Sequence, residues 1–92
     1  MYEKTVLIRN STGLHARPAT DFVSVAKGYK SKIVISCEEE GEKISANAKS
    51  IVMLLSLGAG QGAVVTLSAE GEDEIEAVET LTKLIDSGFG EL

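Results

Sequence analysis

The run Thr12-Gly13-Leu14-His15-Ala16-Arg17-Pro18-Ala19 holds the residues best suited to do chemistry. His15 is the single histidine of the chain, and a neutral imidazole nitrogen is a nucleophile that can attack a phosphoryl donor. The turn-forming residues Asn10-Ser11-Thr12-Gly13 precede it and an apolar three- and four-residue rhythm follows, which places His15 at or near a helix N-cap. Pro18 then falls in the first turn, where its missing N–H removes no intrahelical bond, and the other first-turn amides are free to bind an anion. The positive end of the helix dipole and the Arg17 guanidinium stand beside the ring, where they suit an incoming anion. After transfer, the phosphoryl oxygens would face a cradle formed by Ala16, Arg17 and Pro18, with the Arg17 fork matched to phosphate. On residues alone, a cap or a plain surface position is the commoner role for a lone histidine beside a helix start; Arg17 and Pro18 favour the phosphoryl reading.

Holding such a loop in place requires a strand before it and a helix after it. Between Lys4 and Arg9, Val6 and Ile8 share one face of an extended segment. Ala16, Ala19, Phe22, Val23 and Ala26 line one face of a helix that stops near Lys27-Gly28. Ile33, Ile35 and Cys37 alternate, Glu38-Glu39-Glu40-Gly41 reads as a charged turn, and a short strand around Lys43-Ile44-Ser45 completes a hairpin. Ser50 before Ile51-Val52-Met53-Leu54-Leu55 predicts an N-capped short helix with Leu54 and Leu57 turned inward and Gly58 as its stop. Val65, Leu67 and Ala69 mark a fourth strand, and Glu72-Asp73-Glu74 suits the start of a last helix whose buried stripe runs through Ile75, Val78, Leu81, Thr82 and Ile85. The order βαββαβα predicts an α+β two-layer open-faced sandwich, with a four-stranded antiparallel sheet and three helices on one face.

Ninety-two residues are enough for one domain, spanning 1–92, and one core. A net charge of −5 is the wrong sign for direct nucleic-acid binding. Cys37 has no disulfide partner, and neither a signal peptide nor a long apolar run is evident, so the expectation is a cytoplasmic chain with no membrane contact. Three further patterns have plain readings. Asn10-Ser11-Thr12 matches a glycosylation acceptor by chance, Gly58-Ala59-Gly60-Gln61-Gly62 is a flexible connection rather than a nucleotide loop, and Cys37 is a small buried hydrophobe. The acidic cluster Glu72-Asp73-Glu74-Glu76 answers the helix dipole rather than a metal.

Gly13, His15, Arg17 and Pro18 together resemble the phosphorylation-site motif of the HPr family of histidine-containing phosphocarriers. A second stretch, Asn47-Ala48-Lys49-Ser50-Ile51 followed by Leu57-Gly58, is similar to the segment that bears the regulatory serine in Gram-positive members, with Ser50 at the serine position. The resemblance implies a monomeric carrier, itself no enzyme and without metal or cofactor. It would receive a phosphoryl group from phospho-enzyme I on Nδ1 of His15 and pass it to sugar-specific IIA components. It also implies a possible HPr kinase/phosphorylase acting on Ser50, with catabolite control protein A as a partner of the serine-phosphorylated form. Ile51, Val52 and Leu55 lie opposite Leu54 and Leu57 on the short helix and, with Ala16, Arg17 and Thr20, form the expected partner-binding patch. Two departures stand out: Met53 replaces an expected glycine or lysine, and the 38–47 hairpin is longer than usual. A regulatory binding module working mainly through phospho-Ser50, and an anion-sensing domain without covalent chemistry, are the alternatives.

Overall fold

Val6, Ile33, Ile35, Val65, Leu67 and Ala69 all lie on the same face of their strands and are buried, so the alternating pattern fixes which side of the sheet the helices cover. The computed structural model describes residues 1–91. The elements run β1 (Tyr2–Leu7), α1 (Ala16–Ala26), β2 (Lys32–Glu39), β3 (Glu42–Asn47), α2 (Ile51–Leu57), β4 (Val64–Glu70) and α3 (Glu74–Asp86), with a 3-10 turn at Gly88–Gly90. All pairings in the sheet are antiparallel, in the order β1-β4-β2-β3. This is the predicted α+β sandwich, and no helix among the described residues is long and apolar enough to cross a membrane. Pro18, Ala19, Phe22, Val23 and Ala26 form the buried face of α1, which fastens the first helix over the core and leaves its N-terminal end at the surface.

Three sequence expectations need correction. The charged segment 38–41 is only half turn: β2 and β3 stay paired to Glu39↔Glu42, so Glu38 and Glu39 are strand and Glu40 and Gly41 form a two-residue turn at φ 53° and 82°. Positive φ at both central positions gives the twist that a tight hairpin needs. Ile75 is 59% exposed and is not part of the α3 stripe; Ala77, fully buried, stands there with Val78, Leu81 and Ile85. At 100° per residue those four cluster on one side of the helix, whereas Ile75 projects past the edge of the cluster and Thr82 lies at its half-buried margin. The glycine-rich segment after α2 is not loose: Leu14 N–H donates to Ala59 C=O (2.9 Å), Gly62 N–H to Ile8 C=O (2.8 Å), and Ala63 N–H to Gly60 C=O (3.1 Å).

The acidic run before α3 acts through hydrogen bonds. Asp73 accepts from the Ser31 hydroxyl and from the N–H groups of Lys30 (2.8 Å) and Ser31 (2.9 Å), which hold its carboxyl below the usual carboxylate range. Glu79 is lowered in the same way by the Lys4 ammonium and the Tyr2 hydroxyl, each at 2.6 Å. A carboxylate lowered on folding stabilises the fold above its unfolded pKa, and this is lost as pH falls through the folded value. The thermal midpoint is therefore expected to hold from neutral pH to about pH 5 and to decline below about pH 4. Asp73→Asn is expected to melt lower at pH 7 and to lose less on acidification, which melting curves at pH 7 and pH 3 will show.

Candidate functional site

The loop before α1 is built backbone first. Gly13 N–H donates to Asn10 C=O (3.2 Å), and Gly13 takes φ +65° with its α-carbon pressed against the loop after α2. A β-carbon there would sit 2.6 Å from Gly60 Cα and 2.7 Å from the Ala59 carbonyl oxygen, so no other residue fits without moving that loop. Leu14, fully buried, anchors the chain beneath.

His15 is the N-cap of α1, in an extended conformation (φ −129°, ψ 162°), and its side chain makes no capping bond. The imidazole is exposed, and neither nitrogen has a hydrogen-bond partner among the described residues. Ala16 follows at φ +53°, a left-handed conformation that costs a non-glycine residue about 1–3 kcal/mol. Arg17 leaves its side chain 89% exposed, with only a 3.9 Å approach of Nε to the Asp21 carboxylate, a pair too long and too wet to hold it. Pro18 is buried at the third helical position, and Thr20 is exposed with its hydroxyl donating to Ala16 C=O (3.4 Å). The amides of Ala16 and Arg17 have no helical acceptor, and Pro18 has no amide to leave unpaired. An exposed imidazole, two amides without a helical acceptor and an exposed guanidinium thus share one helix end, an arrangement suited to accepting and stabilising a tetrahedral anion.

Residues 2–87 match the sequence profile of the family described as PTS-HPr, the PTS HPr component phosphorylation site. The chain belongs to the HPr family. It is 49% identical over 85 residues to the phosphocarrier protein HPr of Haemophilus influenzae, covering 92% of this chain and 95% of that protein. It is 48% identical over 86 residues to the HPr-like protein Crh of Halalkalibacterium halodurans, covering 94% and 98%. A crystal structure of HPr-C-His from Thermoanaerobacter tengcongensis superimposes with a TM-score of 0.89 at 52% identity, over 100% of this chain and 99% of the other. Membership in the HPr family places the chain among the phosphocarriers of the phosphotransferase system, whose chemistry is carried on a histidine.

Beside this helix end lies α2, in contact with α1, and its end feeds directly into the Ala59-Gly60 backing of the His15 loop. The turn that leads into it is tied by Ser50 N–H to Asn47 C=O (3.0 Å), by Lys49 N–H to Asn47 Oδ1 (2.9 Å), and by the Lys49 ammonium to Tyr29 C=O (2.6 Å). Ser50 is the N-cap, its hydroxyl accepting from Met53 N–H at 3.2 Å. Ser50→Ala is expected to cost about 1 kcal/mol by losing that cap, measurable as a shifted denaturant midpoint with unchanged slope. Leu54 and Leu57 face the core, while Ile51 (38%), Val52 (70%), Met53 (45%) and Leu55 (42%) are exposed. Met53 thus adds a fourth apolar side chain to the patch expected from sequence; the signal available was that a seven-residue helix turning only Leu54 and Leu57 inward must expose its other apolar positions. Cys37 is half-buried, and burial pushes its thiol up, which leaves it a poor nucleophile.

Proposed function

We propose that His15 accepts a phosphoryl group on Nδ1 from phospho-enzyme I and hands it to sugar-specific IIA components. The observation that carries this reading is the free imidazole at the start of α1, beside the unpartnered amides of Ala16 and Arg17. In the transfer, the bond from phosphorus to the donor nitrogen breaks in line as the bond to Nδ1 forms. The equatorial oxygens then meet the first-turn amides, the helix dipole and the Arg17 guanidinium. Because His15 and Arg17 are both exposed, the acceptor histidine of a partner can approach the same phosphorus from outside, which suits a carrier better than a hydrolase. Ala16, Arg17, Thr20, Ile51, Val52 and Leu55, joined by Met53, form the docking face for both partners, an exposed apolar patch of the kind that marks a protein interface. Val52→Asp is expected to raise the KM for transfer from phospho-enzyme I by about tenfold while leaving the thermal midpoint nearly unchanged, as steady-state kinetics and melting curves will show.

Ser50 is the regulatory position in this proposal: phosphate there would add two negative charges in the middle of the docking face while remaining compatible with a helix N-terminus. That supports a role for a dedicated HPr kinase/phosphorylase and for binding of the serine-phosphorylated form to catabolite control protein A. The likeness to the HPr-like protein Crh favours, as a second reading, a regulatory protein-binding module that acts mainly through phospho-Ser50. Incubation with phosphoenolpyruvate and catalytic enzyme I separates the two: acid-labile phosphate on the chain supports the carrier, and its absence supports the module.

A further inference from the structure

Asn10 opens the chance glycosylation pattern, yet its side chain is fully buried and out of reach of any modifying enzyme. Its amide instead donates to three acceptors, Gly13 C=O (3.0 Å), Thr12 Oγ1 (3.0 Å) and Glu91 Oε1 (3.3 Å), and the Thr12 hydroxyl donates to the same Glu91 oxygen (3.2 Å). Its backbone C=O accepts from Gly13 N–H, so both sides of Gly13 are held by one residue. Among the described residues the amide oxygen Oδ1 is buried without a partner, an arrangement that by itself costs stability. What the side chain supplies is geometry at Gly13, one residue ahead of Leu14 and two ahead of His15.

The other end of the clasp comes from 81 residues away. Phe89 turns at φ +56° between Gly88 (+70°) and Gly90 (+77°), which folds the end of the chain back so that Glu91 reaches the loop. Glu91 also lines a cleft with Arg17, Pro18, Asp21, Phe89 and Gly90, so the clasp closes against the start of α1. Resting on the phosphocarrier reading above, we propose that Asn10 is a positioning residue for transfer at His15. With Glu91 as its counter-anchor, it fixes the Gly13 peptide and through it the direction in which the chain enters the left-handed turn at Ala16.

A loop set in advance acts on the transition state rather than on docking, so its loss changes kcat and leaves KM alone. The test is the rate of phosphorylation by phosphoenolpyruvate and catalytic enzyme I as a function of carrier concentration, with the Gly13 amide followed by 1H–15N NMR. Asn10→Ala is expected to lower kcat about tenfold with KM unchanged within about twofold, and to move the Gly13 resonance. Thr82→Ala, which removes the other buried unpartnered polar group on distant α3, is expected to leave kcat at the wild-type value. Asn10→Asp combined with Glu91→Gln restores the tie to position 91 but not the bond to Gly13 C=O. That double variant is expected to regain melting temperature lost in Asn10→Asp alone without recovering kcat, and it serves equally if Asn10→Ala does not fold. Wild-type kcat in the Asn10 variants, or equal losses in Thr82→Ala, overturns the inference while leaving the carrier reading intact. A wild-type chain that takes up no phosphate overturns both.

Discussion

His15→Ala is expected to abolish acid-labile phosphate uptake while moving the thermal midpoint by no more than about 2 °C. The first part follows because no other histidine exists to take over, and amides and a guanidinium stabilise a phosphoryl group without bonding to it. The second follows from the geometry. The imidazole is exposed, makes no capping hydrogen bond and covers none of the core, so its removal leaves no cavity and no unsatisfied partner. A phosphorylation assay run beside a melting curve checks both halves. A large loss of stability would mean that the side chain has a structural role beyond its exposed place at the N-cap.

Phe22→Ala is expected to do the reverse. Phe22 is among the largest fully buried side chains and holds α1 onto the core, so truncation removes its transfer free energy and leaves a cavity. A loss of about 3–5 kcal/mol is expected, a large share of the roughly 5–15 kcal/mol that domains of this kind possess. The denaturant midpoint should fall sharply, and the fraction that remains folded should still accept phosphate at His15. Together the two variants separate the nucleophile from the scaffold: one removes chemistry without fold, the other fold without chemistry.

The framework was legible because period-two and period-3.6 patterns report burial directly, and Val6, Ile33, Ile35, Val65 and Leu67 alternate without interruption. The Ser50 cap and Gly58 stop were equally readable, because each answers a local backbone demand. Ile75 was misread because an apolar residue at a helix start fits the spacing from either side, and only the position of the whole stripe decides which side is buried. Glu38 and Glu39 read as turn residues because charge suggests a loop, whereas cross-strand pairing with Lys43 and Glu42 extends the hairpin. At the site, the place of His15, Arg17 and Pro18 followed from the start of the helix. Neither the left-handed Ala16 nor the approach of Gly60 to Gly13 leaves a local trace, since both arise from packing between segments distant in sequence. Glu91 meeting Asn10 is the extreme case: two polar residues 81 positions apart, with nothing in either neighbourhood to announce the contact.

The most direct measurement is a long-range 1H–15N spectrum of the chain labelled with 15N-histidine, recorded before and after addition of phosphoenolpyruvate and catalytic enzyme I. With a single histidine, every imidazole signal belongs to His15. The expected result is a phosphoryl group on Nδ1, lost again on mild acidification and absent from Ser50. Phosphate that accumulates on the chain while both imidazole nitrogens stay unchanged would contradict it.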